Sequence, residues 1–93
     1  MEVSIAAEVS LVNGWNLIAL PVEPATSYTA STMAAGINNQ GGNVTQVFWW
    51  NAAAGSWDFY LADIGFGPDF NVELGEGYLL KSTTASTWTV PSS

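Results

Sequence analysis

The fold is decided by Gly14–Pro24, with the sequence GWNLIALPVEP. Apolar residues fill both sets of alternating positions, with Trp15, Leu17 and Ala19 in one set and Ile18, Leu20 and Val22 in the other. A strand that is apolar on both faces is typical of the middle of a covered sheet, so we expect residues 14–22 to form the central strand. Pro21 and Pro24 favour its end, because proline lacks the N–H that a ladder needs.

Strand patterns also lie on both sides of this stretch. Residues 3–12 alternate apolar and polar side chains, which predicts an edge strand with one buried face. Aromatic-rich residues 44–50 and 56–62 predict a hairpin around Asn51–Gly55. Residues 77–82 and 84–90 predict a last pair of strands. Together these patterns predict one mainly β domain over residues 1–93, a small antiparallel β-sandwich or partly closed barrel with one short α-helix.

That helix is expected at about residues 28–39. Ala30, Met33, Ala34 and Ile37 follow the three- and four-residue spacing of a single helix face. Threonines and serines just before them are candidate N-caps, and Gly41-Gly42 favours the stop.

Charge and composition exclude several functions. Eight carboxylates face one cation, Lys81, and the net charge is −7. Binding of nucleic acid or of anionic lipid depends on lysine and arginine, so neither is an expected partner. No apolar run reaches the roughly 20 residues that cross a bilayer. The first residues carry no basic, apolar pattern of a signal peptide, and without cysteine no disulfide forms.

Catalytic chemistry has few candidate groups. The chain has neither histidine nor cysteine, which excludes the usual nucleophilic triads and zinc sets and predicts neither enzyme activity nor a cofactor. Two carboxylates near one sugar bond would suit a glycosidase, but no spacing pairs them. Asp63, Asp69 and Glu73 are an open alternative as calcium ligands in a glycine-rich loop, although the spacing of an EF-hand is absent.

The aromatic residues are the most informative set. We expect the core to hold Trp15, Phe48, Trp50, Trp57 and Tyr78. Trp49 alternates with Phe48 and Trp50, so it points to the other face of the hairpin. If that face is exposed, Trp49 forms a binding patch for a sugar ring or a protein with Asp58 and Tyr60.

Three motifs in order resemble a known family. They are GWNLIALPV at residues 14–22, VFWWN…GSW…Y at residues 47–60, and GEGY at residues 75–78. This order is similar to the "GWNLISLPV" accessory domains of bacterial and archaeal multidomain surface proteins, and the hairpin alone also resembles a kelch blade. Gly75 and Leu79 depart from the family pattern, which often has proline and tryptophan there.

The resemblance implies an extracellular or cell-surface module without catalytic activity. We therefore expect a structural or adhesive domain that acts through protein–protein contact, either with copies of itself, including self-assembly, or with its parent surface protein. The alternative is a carbohydrate-binding module, for which the partner is a polysaccharide bound on the aromatic hairpin.

Overall fold

The structure is a computed structural model that describes residues 6–20, 23–24 and 26–91. Its elements are, in order, β1 (Ala6–Leu11), β2 (Gly14–Ile18), β3 (Tyr28–Thr29), α1 (Ala30–Asn39), β4 (Val44–Asn51), β5 (Ser56–Leu61), β6 (Asn71–Val72), β7 (Tyr78–Ser82) and β8 (Ser86–Pro91). Residues 3–5 of the first predicted strand lie outside the described residues. The same holds for Pro21 and Val22 at the predicted end of the second strand.

The strands form three antiparallel sheets. The largest has the order β2-β7-β4-β5, and the pairs β1-β8 and β3-β6 form the other two. The fold class is therefore the expected one, mainly β with one short helix, and the sheets do not close into a barrel. Residues 77–82 and 84–90 were expected as a pair, but β7 and β8 lie in different sheets. β1 pairs with β8 of its own chain.

The prediction of a central strand at residues 14–22 is wrong. β2 is an edge strand whose one partner among the described strands is β7, while β7 and β4 are the middle strands. The side chains of Trp15 and Leu17 are more than half exposed on one face of β2, and Ile18 is buried on the other. An apolar pattern on two faces has therefore produced a strand that is covered on one of them.

A buried amide holds the turn that leads into β2. The Asn16 Oδ1 atom accepts a hydrogen bond from the Val12 N–H at 2.8 Å, and its Nδ2 atom donates to the Val12 carbonyl at 3.1 Å. Nδ2 also lies 3.2 Å from the Gly14 carbonyl oxygen. Because the Asn16 side chain is almost fully buried, these bonds satisfy groups that would otherwise be costly to bury. They fix the turn between β1 and β2.

The helix α1 begins two residues later than expected and covers one face of the large sheet. Thr29 is its N-cap and forms a reciprocal capping box with Thr32, as capping-box geometry requires. The helix packs against β4 and β8. Its predicted apolar stripe is confirmed, since all four of its members are buried: Ala30, Met33, Ala34 and Ile37.

The core lies between α1, the β1-β8 pair and one face of the large sheet. We call this face the inner face; it carries Ile18, Val47, Trp49, Tyr78 and Leu80. Trp88 of β8 is buried on the opposite side of the core and meets the Tyr28 ring edge-on at 5.5 Å. Within the described ranges, no helix has the length and apolar character to cross a membrane.

Candidate functional site: an exposed aromatic sheet face

The opposite face of the large sheet carries a continuous apolar row. Strand register aligns Leu17 of β2 with Leu79 of β7, Leu79 with Phe48 of β4, and Phe48 with Phe59 of β5. Cross-strand neighbours point to the same side of a sheet, so these four side chains span its full width. We call this side the outer face. It is defined by eight residues: Trp15, Leu17, Phe48, Trp50, Trp57, Phe59, Leu79 and Lys81.

Solvent reaches much of the outer face. Leu17 is 76 % exposed, Trp15 52 %, Trp57 49 %, Trp50 46 % and Phe59 37 %. With roughly 150–250 Å² for each aromatic side chain, these exposed fractions amount to about 500 Å² of apolar surface. The largest apolar patch on an ordinary monomer measures about 300–600 Å² and is often functional. The outer face therefore matches the largest apolar patch of an ordinary monomer, the kind of patch that is often functional.

Aromatic contacts hold the side chains of this face together. Phe48 is the centre: its ring lies 5.6 Å from Trp15, 5.8 Å from Phe59 and 6.5 Å from Trp57. Trp57 in turn meets Trp50 edge-on at 5.4 Å with an interplanar angle of 71°. Edge-to-face packing of this kind stabilises ring pairs by about 0.5–1.5 kcal/mol beyond area burial. The face is consequently ordered before any partner arrives, which lowers the entropic cost of binding.

The outer face contains two shallow depressions. Trp15, Phe48, Trp57 and Leu79 line one open depression of about 430 Å³. A second depression, of about 480 Å³, lies toward the other end of β7 and is lined in part by Leu17, Trp50 and Glu76. Both are open rather than enclosed, which suits a broad partner better than a small molecule held in a cavity.

Charge on the outer face is confined to its two ends. The Lys81 ammonium, the one cation of the chain, lies 5.8 Å from the centroid of the Trp15 ring, within reach of a cation–π contact. Glu76 borders the depression at the opposite end of β7, and it also borders a depression beside Trp49 and Tyr78, so it lies at the edge between the two faces. Between them the row from Leu17 to Phe59 is apolar, so a positive end and a negative end flank an uncharged middle.

The prediction that five aromatic side chains lie in the core is wrong for three of them. Of the five expected in the core, Tyr78 is buried, Phe48 is half-buried, and the tryptophans at positions 15, 50 and 57 are exposed. The alternation itself was a usable signal, because β2 and β4 are apolar on both faces while the described residues form one helix. That helix covers one side of the sheet, and the other side remains open.

The residues predicted to bind, Trp49, Asp58 and Tyr60, do not form an exposed patch. Trp49 lies on the inner face with its ring 5.8 Å from Phe70, and its Nε1–H is buried with no acceptor among the described residues. Tyr60 packs against the core. The half-buried Asp58 carboxylate accepts a hydrogen bond from Asn51 Nδ2 at 3.2 Å. No observation tests a binding role for these three residues, which stays a prediction.

The loop acids have structural partners. The Asp69 carboxylate accepts hydrogen bonds from the Ser31 N–H at 2.7 Å and the Ser31 hydroxyl at 2.5 Å, in the first turn of α1. Burial raises the pKa of Asp69, but hydrogen bonds from Ser31 and Thr29 together outweigh it, so the pKa lies below its ordinary value. Among the residues the structure describes, no three acids cluster as a metal site would need, so Asp63, Asp69 and Glu73 do not converge.

Tyr78 connects the turn that carries Glu73 and Glu76 to the core. Its hydroxyl oxygen accepts a hydrogen bond from the Glu73 N–H at 2.8 Å. Burial raises the pKa of the Tyr78 phenol, and the nearby Glu76 and Glu73 carboxylates add to this, although the bond from the Glu73 backbone opposes it. Tyr78 therefore acts as a neutral anchor for the turn that carries Glu76.

Comparison of the chain with protein-family models, with curated proteins and with solved structures finds no match.

Proposed function

We propose that the chain is a non-catalytic structural or adhesive module that acts through protein–protein contact on its outer face. The supporting observation is the continuous row of Leu17, Leu79, Phe48 and Phe59, flanked by half-exposed tryptophans. Tryptophan and other aromatic residues are enriched at the centres of protein interfaces, where they supply much of the binding energy.

The area of the face fits this function. A standard interface buries about 800 Å² on each partner, and about 65 % of a homodimer interface is apolar. That share is close to the roughly 500 Å² of exposed apolar surface on the outer face. The aromatic rings already pack against one another, and the charged Lys81 and Glu76 lie at the ends of the face, as in the polar rim of such an interface.

The expected location is extracellular or at the cell surface. The low content of charged residues and the resemblance to surface accessory domains both favour it. In that setting an aromatic sheet face contacts neighbouring proteins directly. The lack of histidine and cysteine agrees with a module that binds rather than transforms its partner.

Carbohydrate binding is the second candidate, and three exposed indoles on one face favour it. Two observations count against it. The rings meet at steep angles, 71° for Trp50–Trp57 and 67° for Trp15–Phe48, so they do not form one flat stacking platform. The apolar row also offers few donors and acceptors for sugar hydroxyls. We therefore rank the protein partner first.

Adhesion assays separate the two candidates. Beads that carry the chain are offered surfaces coated with collagen, fibrinogen, the chain itself, or cellulose. The proposal expects retention on at least one protein surface, lost in Leu17→Lys and Trp57→Ala. Ile64→Lys is the matched control, because Ile64 is 69 % exposed, lies outside the outer face, and gives the same change in charge as Leu17→Lys. Retention on cellulose alone, or on none of the surfaces, would refute the proposal.

A further inference from the structure

We infer that the outer face binds the outer face of a second copy of this chain, in a two-fold dimer whose β7 strands run antiparallel. This inference rests on the proposed function and names its partner. It starts from the charges at the ends of β7, where Lys81 and Glu76 lie on either side of Leu79.

A two-fold arrangement makes these charges self-complementary. With a rise of about 3.3 Å per residue, Lys81 lies about 7 Å from Leu79 in one direction. In the other direction Glu76, in the turn just before β7, borders the outer face beyond Gly77. A two-fold axis that crosses β7 at Leu79, between the stacked sheets, places Lys81 of each copy opposite Glu76 of the other. Stacked sheets lie about 10 Å apart, a gap that lysine and glutamate side chains bridge together.

The same two-fold rotation places the apolar middle of one copy against the apolar middle of the other. An isologous interface pairs one patch with the same patch, so the row of Leu17, Leu79, Phe48 and Phe59 meets its own copy. Two such faces supply about 500 Å² of apolar surface each, which equals the apolar share of a standard dimer interface. Two open sheets that stack in this way form a β-sandwich with a second hydrophobic layer.

Charge favours a second copy over an unlike partner. The net charge of −7 would attract a basic protein, but among the described acids only Glu76 borders the depressions of the outer face. A basic partner would therefore meet an apolar surface with Lys81 at one end. A second copy meets one positive and one negative end in the opposite order, which neutralises both.

Sedimentation equilibrium on the intact chain, from micromolar to millimolar protein, tests the inference. We expect a monomer–dimer equilibrium with a dissociation constant in the micromolar range, as for other modest interfaces. Leu17→Lys places a charge in the apolar middle and should raise the dissociation constant at least about 100-fold. Ile64→Lys should leave it unchanged. Because both side chains are largely exposed, neither variant should alter the circular dichroism spectrum.

Charge reversal tests the geometry. Lys81→Glu and Glu76→Lys should each weaken the dimer about tenfold, and the double variant Lys81→Glu/Glu76→Lys should return to within about threefold of wild type. Glu73→Lys, which makes the same charge change on the neighbouring turn, should have little effect. A dimer that ignores these changes would overturn the antiparallel arrangement.

The outcomes also separate this inference from the proposed function. A chain that stays monomeric at millimolar concentration, yet adheres to collagen or fibrinogen through Leu17, would assign the outer face to an unlike protein and overturn the self-association alone. Adhesion to cellulose only, by a monomer, would overturn both proposals.

Discussion

Because the outer face is exposed, truncating a leucine there should cost much less folding stability than truncating a leucine on the inner face. Leu17 of β2 and Leu80 of β7 lie on adjacent paired strands but on opposite faces. Leu80 is completely buried and Leu17 is 76 % exposed. Leu80→Ala should destabilise the fold by about 2–5 kcal/mol, through lost burial and the cavity left behind. Leu17→Ala should change the stability of the monomer by no more than about 0.5 kcal/mol.

Urea unfolding followed by far-ultraviolet circular dichroism measures both costs. A small chain loses about 1 kcal/mol of stability for each molar of urea, so Leu80→Ala should lower the midpoint by about 2 M or more. Leu17→Ala should lower it by less than about 0.5 M. The titration is run at low protein concentration, where the chain is monomeric. Equal midpoints for the two variants would mean that the chain itself covers Leu17, and the reasoning about a free outer face would fail.

The same assay at high concentration connects stability with association. Binding that is restricted to the folded state stabilises that state, so the wild-type midpoint should rise with protein concentration. The midpoint of Leu17→Ala should rise much less, because its interface has lost a central contact.

Two further predictions concern the loop between β5 and β6 and the turn within the hairpin. Because the folded-state pKa of Asp69 lies below 3.8, its contribution to stability is full above that value and is lost as the pH falls through the folded value. Melting temperatures of wild type and Asp69→Ala should therefore differ at neutral pH and converge in strong acid; a constant difference would contradict this. Gly67→Ala should destabilise the fold more than the roughly 1–2 kcal/mol of Gly55→Ala in urea titrations. Both glycines have positive φ, but a Cβ atom at Gly67 would also overlap the Phe59 carbonyl oxygen, so equal costs would contradict that close approach.

Local patterns, which depend on neighbours in sequence, predicted the helix and the longer strands but not the short strands β3 and β6. The helix stripe from Ala30 to Ile37 and the hairpin of β4 and β5 follow from spacing and turn chemistry alone. The placement of β7 between β2 and β4, and the pairing of β8 with β1, depend on contacts between distant parts of the chain. No local signal in residues 77–90 distinguishes these partners from a simple hairpin.

The choice of face for Trp49 was undetermined for a physical reason. Alternation correctly separated Trp49 from Phe48 and Trp50, but both faces of β4 are apolar. Periodicity states which residues share a face and not what covers it. The helix decides, because its buried stripe packs against the face that carries Val47 and Trp49. The open choice of face for Trp49 and the wrong central position of β2 have this one cause.

The described helix and strands pack on the inner face of the large sheet, which explains why its apolar outer face is exposed. The ten residues of α1 extend about 15 Å and pack against β4 on the inner face of the large sheet. Leu11 of β1, Val72 of β6 and Trp88 of β8 belong to that same core, and Tyr28 of β3 packs against it. Among the described elements none is left to cover the outer face, which favours its burial against another molecule. The net charge of −7 opposes unspecific association. Among the described acids only Glu76 borders the depressions of the outer face, so contact is favoured there.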